Sequence, residues 1–152
     1  MKNVYFYQTD IGEIGIIEKN EAIVGLSFGR NRVLEDAIER ETLLLKKASR
    51  QLFEYLAKER KYFDLPFAPE GTDFMKEVWG RLCAISYGET RTYKEVAQSM
   101  GKEKACRAVG NANNCNPLPI FIPCHRVVGV GGKPVGYSGG LNIKKYLLDL
   151  EK

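Results

Sequence analysis

At 152 residues the chain has room for one domain or two small ones, and it is long enough to bury a real core. A hydrophobic content of 44% and a charged content of 28% are ordinary for a globular protein in water, and no apolar run approaches the roughly 20 residues that a membrane span needs. The net charge of +4 is unevenly spread: residues 1–70 carry 11 Lys and Arg against 12 Asp and Glu, whereas residues 71–152 carry 12 against 7. That surplus in the second half fits an acidic partner, nucleic acid being the commonest, and it also fits a plain solvated face.

In chain order, the opening segment reads as strands. Residues 3–9, 11–18 and 22–28 are rich in Val, Ile, Tyr and Phe, with turn residues between them, which predicts a three-stranded antiparallel meander. From 33 to 61 apolar residues recur at three- and four-residue steps and predict a helix, with 62–66 a short extended return. Pro69 and Gly71 mark a boundary. Thr72 or Asp73 caps a predicted helix through Phe74, Val78, Trp79 and Leu82 to about 85. A second predicted helix runs from 92 to Gly101, and a third from 104 to 115. Their short Gly-containing link is the pattern of a helix-turn-helix, and equally of an αα-hairpin in a core. A loop with Gly129, Gly131, Gly132, Gly136, Gly139 and Gly140 matches no phosphate-binding fingerprint and suits closure over a ligand. A final amphipathic helix covers about 142–151.

The four cysteines (83, 106, 115 and 124) form no Cys-x-x-Cys pair, and the chain has one histidine, so neither a structural metal nor a disulfide framework is expected. The first ten residues have no basic start followed by an apolar stretch, so no signal peptide and an intracellular, cytoplasmic place are expected. That one histidine follows Cys124 in the run 119–128, where two prolines enclose Ile120, Phe121 and Ile122. Such a run predicts a stiff apolar floor carrying a thiol and an imidazole. A thiol needs a base to be nucleophilic near neutral pH, and the base needs an orienting group. Neighbouring residues point different ways, so His125 is expected to act through a water, held by Asp149 or Glu151 folding back from the last helix. An inert buried cysteine with a core histidine, a thiol hydrolase and a peroxide-sensing thiol all fit the same pair.

Asn116-Pro117 through Pro123-Cys124-His125-Arg126-Val127-Val128, followed by Tyr137-Ser138-Gly139-Gly140-Leu141, resembles the O6-alkylguanine-DNA alkyltransferases. The likeness extends back through Arg107-Ala108-Val109-Gly110, Thr92-Tyr93, Tyr87-Gly88-Glu89-Thr90 and Gly71-Thr72 with Phe74, which is essentially the second half of the chain. The resemblance implies an α+β fold: a ribonuclease H-like N-terminal support domain over 1–68, with an antiparallel meander and a helix, and a winged-helix-like DNA-binding and alkyl-acceptor domain over 69–152. It implies repair of O6-alkylguanine, and of O4-alkylthymine, by irreversible single-turnover transfer to Cys124. The expected partner is double-stranded DNA met through the minor groove by a monomer, without cofactor, metal or membrane. Position by position, His125 deprotonates Cys124 through water, Glu151 orients His125, and Asn116 braces the turn. Tyr93 helps rotate the damaged nucleotide out and bonds to guanine N3, a proton donation also assigned to Tyr137. Arg107 fills the base stack, while Ala108 and Ala112 permit close approach. Val135, Tyr137, Ser138 and Gly139 line the guanine loop. Ser86 stands where the family often has Pro, and Cys115 reads as a bystander. The absence of any Cys before 83 and any His before 125 removes the zinc site that some relatives carry. A helix-turn-helix DNA binder whose Cys124 accepts no alkyl group is the alternative.

Overall fold

A computed structural model describes residues 1–30, 36–133 and 135–152. The chain divides into two compact units, Met1–Glu70 and Gly71–Lys152.

In the first unit, β1 (Lys2–Thr9), β2 (Gly12–Lys19) and β3 (Ala22–Phe28) form the expected meander. The β2–β3 turn holds Asn20 and Glu21 at φ 53° and 62°. Two positive φ values give the turn the twist that adjacent strands require. A fourth strand, β4 (Ala37–Glu39), lies parallel to β1, so the sheet runs β3-β2-β1-β4. The helix predicted over 33–61 is therefore corrected: 33–35 lie outside the described residues, 37–39 are strand, and α1 spans only Leu43–Leu56. Thr42 sets that start by accepting from the Leu45 amide. Leu45, Ala48, Leu52, Tyr55 and Leu56 line the buried face of α1, and among the buried residues of the sheet are Ile14, Ile16, Ile23 and Leu26. Each such large side chain contributes about 1.5–3 kcal/mol by leaving water. The extended return expected over 62–66 is not a strand; just after it, Phe67 makes an isolated parallel bridge with Ile23.

The second unit is built on α2 (Asp73–Cys83), α3 (Tyr93–Ser99) and α4 (Cys106–Asn114), packed on one another. Thr72 caps α2, and Thr92 caps α3 in a reciprocal box with Glu95. The predicted 104–115 helix begins as a 3-10 turn, Glu103–Ala105, and becomes α-helical only at Cys106. Trp79 is the pin of this cluster. Its ring is buried, its indole N–H donates to the Ala112 carbonyl at 2.9 Å, and a Cβ at Gly71 would come within 2.5 Å of it. A two-residue strand, β5 (Arg91–Thr92), pairs in parallel with β6 (Val127–Val128), which brings the start of α3 beside the segment after Cys124. The last helix, α5 (Leu141–Leu150), packs on the turn Cys124–Arg126. Among the described residues no helix is long and apolar enough to cross a membrane.

Candidate active site

The run from Asn116 to Val128 is almost wholly buried, and its path is fixed by its own bonds. The Asn116 side chain donates to the Ile122 carbonyl and accepts from the Leu118 amide, both at 2.9 Å. Ile120 sits at φ 74°, an uncommon conformation for a β-branched residue that only a tightly enclosing structure sustains. Pro123, at φ −77° and ψ 63°, centres an inverse γ-turn closed by the Cys124 amide on the Ile122 carbonyl at 2.7 Å. The apolar floor expected from the prolines is thus present, and Asn116 ties its two ends.

Cys124 is 3% exposed. Burial pushes its thiol up to about 11, opposed by the Asn116 side chain, the Lys144 charge and a backbone bond. Behind it, His125 is fully buried and its Nε2 lies 2.7 Å from Glu151 Oε2. A carboxylate there calls for the proton on Nε2, which makes Nδ1 the basic nitrogen. Burial lowers the proton affinity of His125, with further lowering from Arg126 and Lys144, against the pull of Glu151. The imidazole is therefore neutral at neutral pH.

Of the two acids considered for orienting His125, Asp149 is excluded: it is exposed and pairs with Lys152 at 3.2 Å. The α-helical phase of α5 turns Asp149 outward and puts Glu151, its C-cap, inside. Glu151 also takes two bonds from Arg126, at 2.8 and 2.9 Å, and one from the Gly88 amide at 3.2 Å. Arg126 completes its fork on the Ile85 carbonyl at 2.7 Å. Neither Arg126 nor the Tyr87-Gly88 turn had been assigned to the site from sequence. The adjacency of Arg126 to the Cys-His pair was the available signal, since a basic residue inside an apolar run needs a buried acid.

On α4 the exposed residues are Cys106, Arg107, Ala108, Asn111 and Asn114, and 107, 108, 111 and 114 form one stripe at helical spacing that continues into the exposed C-cap Cys115. Ala112 is corrected: it is 2% exposed, and its carbonyl receives Trp79. Its methyl belongs to the core, and Asn111 takes its place on the outer stripe. Tyr93, at the first turn of α3, is partly exposed and donates to the Val135 carbonyl at 2.8 Å. Burial raises its hydroxyl, as do charges on Cys124 and Cys106. Gly110 passes beside its ring, where a Cβ would make ordinary contact at 3.8 Å. In the loop, Val135 is half exposed, Ser138 exposed, and Tyr137 and Gly139 intermediate. Gly136 holds φ 64°, and a Cβ there would meet the Asn114 amide oxygen at 3.2 Å. The loop thus leans on the outer stripe of α4. Among the described residues no group of His, Cys, Asp or Glu could hold a metal.

Two family descriptions match the chain: "6-O-methylguanine DNA methyltransferase, ribonuclease-like domain" over residues 4–69 and "6-O-methylguanine DNA methyltransferase, DNA binding domain" over 73–152. A methylated-DNA–protein-cysteine methyltransferase of Methanosarcina barkeri is 50% identical over 149 residues, covering 95% of this chain and 94% of the relative. The constitutive enzyme of that name in Bacillus subtilis is 41% identical over 152 residues, covering 95% and 92%. Among solved structures, Mycobacterium tuberculosis OGT in complex with DNA superposes with a TM-score of 0.92 at 37% identity, covering 98% of this chain and 92% of that one. The α+β layout, the buried Cys-His-Glu cluster and matches along nearly the whole chain agree, and the chain belongs to the 6-O-methylguanine DNA methyltransferase family.

Proposed function

We propose that the protein repairs O6-alkylguanine in DNA by moving the alkyl group onto Cys124, once per molecule. The observation that carries this reading is the buried thiol next to a neutral imidazole whose far nitrogen is locked to Glu151. With Nε2 engaged, His125 Nδ1 takes the thiol proton through a water. The sulfur then attacks the alkyl carbon in line: the S–C bond forms, the O6–C bond breaks, and the electron pair leaves on guanine, which takes up a proton. Arg126 holds Glu151 in register, and Asn116 fixes the turn that aims the sulfur.

The substrate atom lies inside a duplex, so its base leaves the stack at a cost of a few kcal/mol, less when it pairs poorly. Support for DNA as the partner comes from the net positive second half and from the relative solved on DNA. In this reading α4 enters the minor groove by its outer stripe, with Ala108 allowing close approach, Asn111 beside it, and Arg107 filling the gap in the stack. Tyr93 rotates the nucleotide outward. To donate to guanine N3 it releases the Val135 carbonyl, and Tyr137 is the second donor for that nitrogen. Val135, Ser138 and Gly139 close on the base. O4-alkylthymine is a second, smaller substrate. The N-terminal unit supports the other, the protein acts as a monomer with the DNA inside the cell, and the thioether stays on Cys124.

Incubation with a duplex containing O6-methylguanine tests the proposal. Intact-mass and peptide analysis should find one methyl group, on Cys124, and unmodified guanine in the DNA. An unmodified Cys124 after long incubation with excess duplex sinks the catalytic reading and leaves a helix-turn-helix binder.

A further inference from the structure

Lys144 is fully buried on α5, a place where an ammonium persists only if its donors are answered. Its Nζ donates to the carbonyls of Val127 at 2.6 Å, Val135 at 3.0 Å and Gly136 at 3.3 Å. An ammonium has three N–H donors, and three carbonyls use them all. These acceptors belong to two different pieces of the site. Val127 opens β6, three residues after Cys124, whereas Val135 and Gly136 belong to the glycine loop. The Val135 carbonyl is a shared node, since it also receives Tyr93 from α3. The charge also acts on the reacting pair, lowering both the Cys124 thiol and the His125 imidazole. The other titratable groups around it are Tyr93 through Val135, and Glu151 with Arg126 behind His125.

We propose that Lys144 is a positioning residue for alkyl transfer: its ammonium ties the loop that closes on the base to the strand leaving Cys124, and its charge favours the thiolate. This role rests on the alkyl-acceptor reading of Cys124. Burial pulls the ammonium down to about 8, so the charge is present below that pH and is lost above it.

The variants are Lys144→Met, which removes charge and donors, Lys144→Gln, which keeps a neutral donor, and Lys144→Arg, which keeps the charge. Lys145→Met, at an exposed neighbour, is the control. Hydrogen exchange of the amides of residues 136–140, measured without DNA, should accelerate about tenfold or more in Lys144→Met, the loss expected for a charged hydrogen bond. Exchange equal to the wild type overturns the tie. The rate of methyl transfer from an O6-methylguanine duplex, followed against pH, should have its rising limb displaced to higher pH in Lys144→Met and Lys144→Gln but not in Lys144→Arg. The deficit should be largest below pH about 8 and shrink above it. Coincident limbs overturn the electrostatic half, and if Lys144→Met does not fold, Lys144→Gln decides both measurements. A wild type that transfers nothing, with faster exchange in the variant, removes the alkyl-acceptor reading while the loop tie stands.

Discussion

Two regions of the second unit divide the work in opposite ways. Around Cys124 every charged group is buried and held by several partners: Glu151 carries His125, Arg126 and the Gly88 amide, and Arg126 also reaches Ile85. On the outer face of α4, Arg107, Ala108 and Asn111 lie open to solvent. Chemistry needs a fixed imidazole in a dry place, whereas a surface that meets DNA keeps its polar groups in water until the partner arrives. A change in the first region should cost stability and rate together; a change in the second should cost only work on duplex DNA.

Glu151→Gln strikes the buried region hardest. It leaves the Arg126 guanidinium without its carboxylate and His125 without its anchor, so a loss of about 3–5 kcal/mol in denaturant unfolding is expected, together with a fall in methyl transfer. A variant as stable as the wild type breaks the contrast. Arg107→Ala probes the other side. Thermal unfolding should be unchanged, and transfer from a duplex should slow by about 10–100-fold, the scale of a few kcal/mol of lost stacking. Transfer from a free O6-alkylguanine base should hardly change, and equal losses on both substrates would remove stack filling as its role. The smallest effect is a pH slope. His125 is held below its ordinary value of 6.5 mainly by burial. The unfolded chain therefore binds a proton that the folded one refuses as pH falls below about 6.5. Stability is untouched above that pH and declines below it, by at most about 1.4 kcal/mol per unit. Unfolding curves of wild type and His125→Gln between pH 5 and 7.5 should diverge in slope; parallel curves would mean that the imidazole titrates freely.

Much of this arrangement was legible in the amino acids. Segments rich in Val, Ile, Tyr and Phe, bounded by turn residues, marked β1 to β3, because β-branched and aromatic side chains suit a pleated surface. Cys124, His125, Glu151 and Asn116 were all proposed from sequence, and the fold brings them to one turn. The errors have physical causes. Residues 37–39 sit among Asp, Glu and Arg that suit a helix, yet pairing with β1 overrides that local preference. Between Asp149 and Glu151 no error arose: the residues left both open, the resemblance named Glu151, and the phase and end of α5 agree with it. Ala112 read as a groove residue because a small side chain fits either a groove or a core, and Trp79 decides between them.

The sequence by itself determined the strands, the capped helices and the thiol–imidazole pair, since each follows from neighbours a few residues apart. It also identified the family, through a long run of specific residues around Cys124. Tertiary structure alone decided which charged side chains go inside. Arg126 and Lys144 are typical surface residues by composition, and both are buried. Their partners are Glu151 and Ile85 for Arg126, and the carbonyls of Val127, Val135 and Gly136 for Lys144. The two partners of Arg126 lie 25 and 41 residues away along the chain, and those of Lys144 lie 8 to 17 away. Burying a charge is favourable only when such groups converge on it, and that convergence exists only once the chain has folded.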